Sequence, residues 1–278
     1  MADISDLLRD PLPSLRELLA FYVEAGVDCA LMDEPVNRLS DEMPEPAAGP
    51  ATAARTYPPL LRASEMPKPA MRADAAPAPD IAIINAREMA ATAPNLDALR
   101  ALMEGFEGCA LKSTATRLVF ADGNPQAKIM LVGEAPGRDE DIEGLPFVGR
   151  SGKLLNLMLA AIGLDRTKVY IANVIPWRPP GNRTPTAQET QTCLPFIKRQ
   201  IELVNPDILV TLGNPSTQTL FATSEGIMKT RGRWRDYDTG TRSIRALATF
   251  HPAYLLRQPS YKRMAWLDLR SIAIAIKS

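Results

Sequence analysis

Between residues 128 and 251, four short apolar runs rich in β-branched residues alternate with helix-patterned segments, and few folds accept that order. The runs are KIMLVGE (128–134), KVYIANV (168–174), DILVTLG (207–213) and RALATFH (245–251). SGKLLNLMLAAIG (151–163), QETQTCLPFIKRQIELV (188–204) and YKRMAWLDLRSIAIAI (261–276) carry apolar residues at helical spacing. Strands that are apolar at nearly every position are buried on both faces, which points to a parallel sheet with helices on each side. The expected fold is a three-layer α/β/α sandwich around a central, mainly parallel four-stranded sheet, with TRLVFAD (116–122) as an added strand.

Upstream of this pattern the texture differs. Residues 14–27 read as an amphipathic helix, so 1–40 is expected to be a helical N-terminal extension. Residues 41–80 hold nine Pro and eleven Ala with few large apolar side chains, and are expected to form a linker to a main domain over 81–278. The formal net charge of zero conceals an asymmetry: residues 1–80 carry seven Lys or Arg against fourteen Asp or Glu, and the rest carries twenty-five against eighteen. An acidic head and a basic body suggest a polyanionic partner for the body, although solubility alone also accounts for such a surface. Three Cys without a CxxC pair exclude a disulfide scaffold, a zinc ribbon and a thioredoxin-like site. The acidic start lacks the pattern of a signal peptide, and no run of 18 apolar residues would span a membrane, so the expected compartment is the cytoplasm.

In open parallel sheets the ligand site lies outside the carboxyl ends of the strands. Here those ends read GEAPGRDED, NVIPWRPPGNR, LGNPS and TFHPAYLLR, and the chain's special residues collect there. Gly133-Glu134-Ala135-Pro136-Gly137 is a tight turn with exposed amides, followed by Glu140 and by Phe147 between Pro146 and Gly149. An aromatic so placed can stack on a planar ligand, or can plug the core beneath an acidic loop. GRSGKLL (149–155) lacks the spacing of a phosphate loop. The amide of Asn173 matches the edge of a pyrimidine, or caps the next loop. Arg178 and Arg183 bracket a stiff segment suited to backbone phosphates. His251 is the only histidine, at the end of the fourth run. Tyr254, Leu255, Leu256 and Arg257 after it read either as an apolar wedge on a basic surface or as the first turn of a buried helix.

Taken together, GEAPGRDED…GLPFVGRSG, VYIANVIPWRPPGNR, LVTLGN and HPAYLLR resemble the motif set of uracil-DNA glycosylases, closest to the fourth, thermophile-type family, over about residues 106–270. The resemblance implies an enzyme that flips uracil out of DNA and hydrolyses its N-glycosidic bond, leaving an abasic site with no lyase step. It implies that Phe147 stacks on the flipped uracil, that Asn173 reads its edge, and that His251 bonds a uracil carbonyl as the bond breaks. Gly133, Ala135 and Gly137 shape the pocket, and the 252–257 loop is the wedge. Ala135 stands where another family has a water-activating Asp, so Glu134 or Glu140 is expected to give electrostatic support. Gly137 stands where that family has a thymine-excluding Tyr. The DNA partner carries uracil; no membrane is involved, and a monomer is expected.

The fourth family also holds a four-iron cluster on four Cys. Cys109 and Cys193 match two of those places, but Phe106 and Trp177 occupy the others and Cys29 lies outside the match. A four-iron cluster calls for four thiolates, so no metal and no cofactor is expected, with the two aromatic residues filling the space. Two other classes compete: a uracil-DNA binding protein without catalysis, and a nucleoside hydrolase or deoxyribosyl transferase acting on free nucleosides.

Overall fold

The computed structural model describes residues 79–277. The expected head helix at 14–27, nearly all of the 41–80 linker and Cys29 lie outside the described residues. The chain there begins with two helices, α1 (Pro79–Thr92) and α2 (Leu96–Gly105). Asn95 caps α2 by accepting from the Ala98 amide at 2.8 Å.

The sheet has six strands rather than four: β1 (Asp122–Gly123), β2 (Ile129–Gly133), β3 (Tyr170–Asn173), β4 (Ile208–Leu212), β5 (Trp234–Asp238) and β6 (Ser243–Thr249). Their order is β1-β3-β2-β4-β6-β5. The four central strands are mutually parallel, as expected, and antiparallel β1 and β5 form the edges. The 116–122 run contributes only its last residue to β1; its Val119 amide bonds the Pro176 carbonyl outside any ladder. β5, WRDYD, is too charged to read as a core strand and survives as an edge, where one face meets water.

Alternation along the central strands sorts side chains into two cores. Met130, Val132, Tyr170 and Leu209 face one layer, with Phe196, Ile197 and Ile201 of α5 (Ala187–Val204). Ile129, Leu131, Ile171 and Val210 face the other, with Leu155 and Leu159 of α4 (Arg150–Ala160) and Ile272 of α9 (Lys262–Lys277). Between them in sequence lie α3 (Arg138–Glu143), α6 (Asn214–Phe221), α7 (Ile227–Thr230) and α8 (Pro252–Arg257). The three-layer arrangement thus follows from the sequence pattern. Parallel register brings Gly133 opposite Asn173 and Leu212 opposite Thr249, which aligns the carboxyl ends where the site is built.

Candidate active site

A cavity of about 310 Å³ opens at those aligned ends, walled by Glu134, Phe147, Asn173 and His251 among others. Backbone bonds tie the two strand-end turns together: the Val174 amide donates to Gly133 and the Ile175 amide to Glu134, both at 3.0 Å. Gly133 is required by what surrounds it, since a Cβ there would come within 2.4 Å of Asn173 Oδ1 and 2.7 Å of Phe147 Cζ. Its missing side chain lets the Phe147 ring and the Asn173 amide share one wall.

Asn173 is buried, and its Oδ1 has no hydrogen-bond partner. An unpaired buried acceptor costs stability, and Asn173 belongs to the cavity wall. His251 caps α8, and its Nδ1 accepts from the Ala253 amide at 3.1 Å. That bond puts the ring proton on Nε2 when the ring is neutral. Burial, and secondarily the Arg257 charge, pull its pKa down to about 4, so the ring is neutral at ordinary pH. Gly213, at φ 93°, allows the histidine to pack, because a Cβ there would lie 2.9 Å from His251 Cβ.

The two glutamates differ. The Glu140 carboxylate accepts from the amides of Gly137, Val148 and Gly149, each at 3.1 Å. It is occupied in stitching the 133–137 turn to the loop that carries Phe147. Glu134 lines the cavity without an ion pair among the described residues, and burial raises its pKa above the ordinary carboxylate value. Of the two, Glu134 is the one whose carboxyl group is not taken up by these backbone amides. Ala135 and Gly137 also line the cavity.

The expected DNA contacts need correction. Leu255 is 1% exposed and packs with Phe250 and Leu269, and Tyr254 lies in a ring cluster with Phe250 and Tyr261. Residues 252–257 form the helix α8 rather than a loop, so the buried-turn reading holds for Tyr254 and Leu255. Helical geometry turns those two inward and leaves Leu256 and Arg257 outside. Arg183 is engaged by Glu189 at 2.8 and 2.6 Å, and this pairing holds the Glu189 pKa at about 2. Arg178 is partly exposed and donates to Asn182 Oδ1 at 2.7 Å. Sequence reasoning gave Ser151 and Arg150 no role and placed Asn182 only within the stiff segment between Arg178 and Arg183. Ser151 and Asn182 line both the cavity and a neighbouring hollow, which Arg150, Arg138 and Arg257 border as well. Their only signal was adjacency to the strand-end motifs.

The four places of the family's cluster lie away from this cavity. Phe106 and Trp177 are buried and stacked at 6.5 Å between ring centroids, and Phe196 meets Phe106 edge-on at 5.0 Å. Cys193 donates to Cys109 across 3.8 Å, and both the neighbouring sulfur and burial push the Cys193 pKa up. Two thiols in mutual contact, walled by packed rings, do not fit a group that needs four thiolates.

Comparison with known sequences agrees with the motif reading. The sequence pattern of the Uracil DNA glycosylase superfamily matches residues 120–270. The chain is 44% identical over 173 residues to the Type-4 uracil-DNA glycosylase of Thermotoga maritima, covering 61% of this chain and 88% of that protein. It is 40% identical over 168 residues to the enzyme of the same name from Archaeoglobus fulgidus, covering 59% and 84%. For that of Saccharolobus solfataricus the figures are 39% over 189 residues, 66% and 88%.

Proposed function

The chain belongs to the uracil-DNA glycosylase superfamily, and we infer from this and from its cavity that it is a DNA-repair glycosylase that excises uracil by hydrolysis of the N-glycosidic bond. The observation that carries the reading is the unpartnered Oδ1 of Asn173, buried beside Phe147 and His251. Uracil offers a ring N–H between two carbonyls, and that N–H is the donor this acceptor lacks.

DNA is the partner, and its phosphates meet the exposed Arg150 and Arg257 beside the cavity together with the partly exposed Arg178, which bonds Asn182 of the cavity wall. Extruding the base costs a few kcal/mol, least where pairing is already weak. The flipped uracil lies against Phe147, gives its N–H to Asn173 Oδ1 and directs a carbonyl at His251 Nε2. As the C–N bond stretches, negative charge gathers on the base and positive charge on the sugar. The neutral His251 donates to the carbonyl, and one such donor aimed at developing charge is worth roughly 3–4 kcal/mol. The Glu134 carboxylate favours the sugar cation, and water then completes the hydrolysis. Glu140 holds the turn and the Phe147 loop in place without touching the reacting atoms. Gly133, Ala135 and Gly137 leave room for the base, and Leu256 enters the duplex. We also propose that the protein works as a monomer in the cytoplasm; among the described residues no helix is long and apolar enough to cross a membrane. We propose that no iron–sulfur cluster takes part, a reading supported by the packing of Phe106 against Trp177.

Base release from DNA carrying a single uracil, thymine or hypoxanthine tests the function. Free uracil and an alkali-labile abasic site are expected from the uracil strand. Tight binding without release would indicate a non-catalytic reader, and activity confined to free deoxyuridine a nucleoside hydrolase.

A further inference from the structure

Phe147 is the largest residue in the cavity wall held at positive φ, 56°, a conformation that L side chains other than Asn and Asp rarely adopt. Something must hold it. Its carbonyl is pressed on the start of α4, where a Cβ on Gly152 would lie 1.6 Å from that oxygen. The same carbonyl accepts from Arg166 Nη2, and Arg166 Nη1 donates to the Pro146 carbonyl at 3.1 Å. Nη1 also pairs with Asp122 on the edge strand β1, and Nε bonds Asn156 Oδ1 of α4 at 2.9 Å. One guanidinium therefore links a strand, a helix and two consecutive carbonyls of the Phe147 loop. Only the planar, multi-donor fork of Arg can do this; the single ammonium of Lys cannot.

We propose that Arg166 is a positioning residue for uracil excision: anchored by Asp122 and Asn156, it grips the Pro146 and Phe147 carbonyls and so fixes the Phe147 ring against the base. This rests on the reading of the cavity as the uracil site. Arg166 lies outside the cavity and touches no substrate. Its effect runs through Phe147 alone.

The experiment is a double-mutant cycle in single-turnover excision from uracil-containing single-stranded DNA, using Arg166→Met, Phe147→Ala and the combination. Arg166→Met is expected to lower the rate about 10–100-fold, the scale of a reactant misplaced by about an ångström, with DNA affinity changed less than about twofold. In the Phe147→Ala background the same change should cost less than about twofold, because the ring to be placed is gone. Arg166→Lys should behave like Arg166→Met. If Arg166→Met fails to fold, Asp122→Asn loosens the anchor and is run through the same cycle. Equal losses in both backgrounds, or a rate within about twofold of wild type, overturn the proposal. The wild-type and Phe147→Ala rates test the underlying reading separately: a wild type that releases no uracil, or a Phe147→Ala enzyme as fast as wild type, would remove the site itself.

Discussion

The Phe147 ring stands 5.3 Å from that of His251, centroid to centroid, with the two planes tilted by 30°. A base sandwiched between two rings needs roughly 3.5 Å on each side, so this gap does not admit one. On the proposed reading uracil therefore lies against Phe147, which is 4% exposed in the free protein, and meets His251 at its edge. In that reading the histidine acts as a hydrogen-bond donor rather than a stacking partner.

From this follows a prediction on pH. With its pKa at about 4, His251 stays neutral through the physiological range, so the excision rate should show no titration between pH 5 and 8 assignable to a histidine. The stability consequence has a definite sign. As pH falls from about 6.5 the unfolded chain takes up the proton first, so the fold loses stability until about pH 4, where the loss levels off. In His251→Ala that part of the pH dependence should vanish, and excision should fall about 10²–10³-fold. Urea melts at pH 7 and pH 5, alongside rate profiles, check both; a rate inflection near pH 6.5 lost in the variant would contradict the neutral donor.

Asn173 should separate activity from stability. Its buried Oδ1 has no partner in the free protein, so removing it relieves an unsatisfied acceptor. Asn173→Ala is expected to lose about 10²–10³ in rate while the thermal midpoint stays level or rises. A variant that melts well below wild type would mean that the amide is structural.

The glutamates should part in the opposite way. Glu140→Ala strands three amides, each costing about 1–3 kcal/mol if unsatisfied, so a clear drop in melting temperature should accompany the loss of activity. Glu134→Gln removes a half-buried carboxyl group that makes no ion pair among the described residues, so excision should slow with no loss of stability. Rates and calorimetry on the two variants decide it, and equal destabilisation would refute the division of labour.

Much of this was legible in the chain, and the exceptions have physical causes. The central strands could be read because both faces are buried and every position is apolar. β5 could not, because an edge strand such as WRDYD buries only part of one face. Phe147, Asn173 and His251 were visible as special residues at strand ends. Burial of Leu255 was not, since a six-residue helix is too short to show a period in sequence. The Gly137 contact of Glu140 is a local capping bond three residues away, but its engagement with Val148 and Gly149 and that of Arg166 with two carbonyls depend on loops meeting in space, for which spacing along the chain carries no signal.

The corrected wedge has its own test. Leu255→Ala opens a cavity in the cluster around Phe250 and should cost about 2–5 kcal/mol. Leu256→Ala, at an exposed site, should leave stability within about 0.5 kcal/mol yet slow excision from duplex more than from single strands, because only the duplex must be unstacked. Equal slowing on both substrates would take Leu256 out of base flipping.

The final prediction concerns the aromatic pair where relatives of the fourth family carry cluster ligands. Trp177 is among the largest fully buried side chains, stacked on Phe106 and enclosed by the α5 core. Truncating it leaves a cavity in a fully buried core cluster, so Trp177→Ala should cost about 3–5 kcal/mol. Cys109→Ala and Cys193→Ala remove one small buried group each and should cost only ~1–2 kcal/mol. If the thiols instead held iron, the ranking would invert, because losing a ligand would release the whole cross-link. Iron and acid-labile sulfide analysis of anaerobically purified protein should find neither in stoichiometric amount. Phe106→Cys combined with Trp177→Cys then asks whether the rings alone displaced the group: the double variant supplies four thiols, and reconstitution with iron and sulfide should colour it while leaving the parent colourless. Stoichiometric cluster in the parent would overturn the reading of this core as a packed aromatic one.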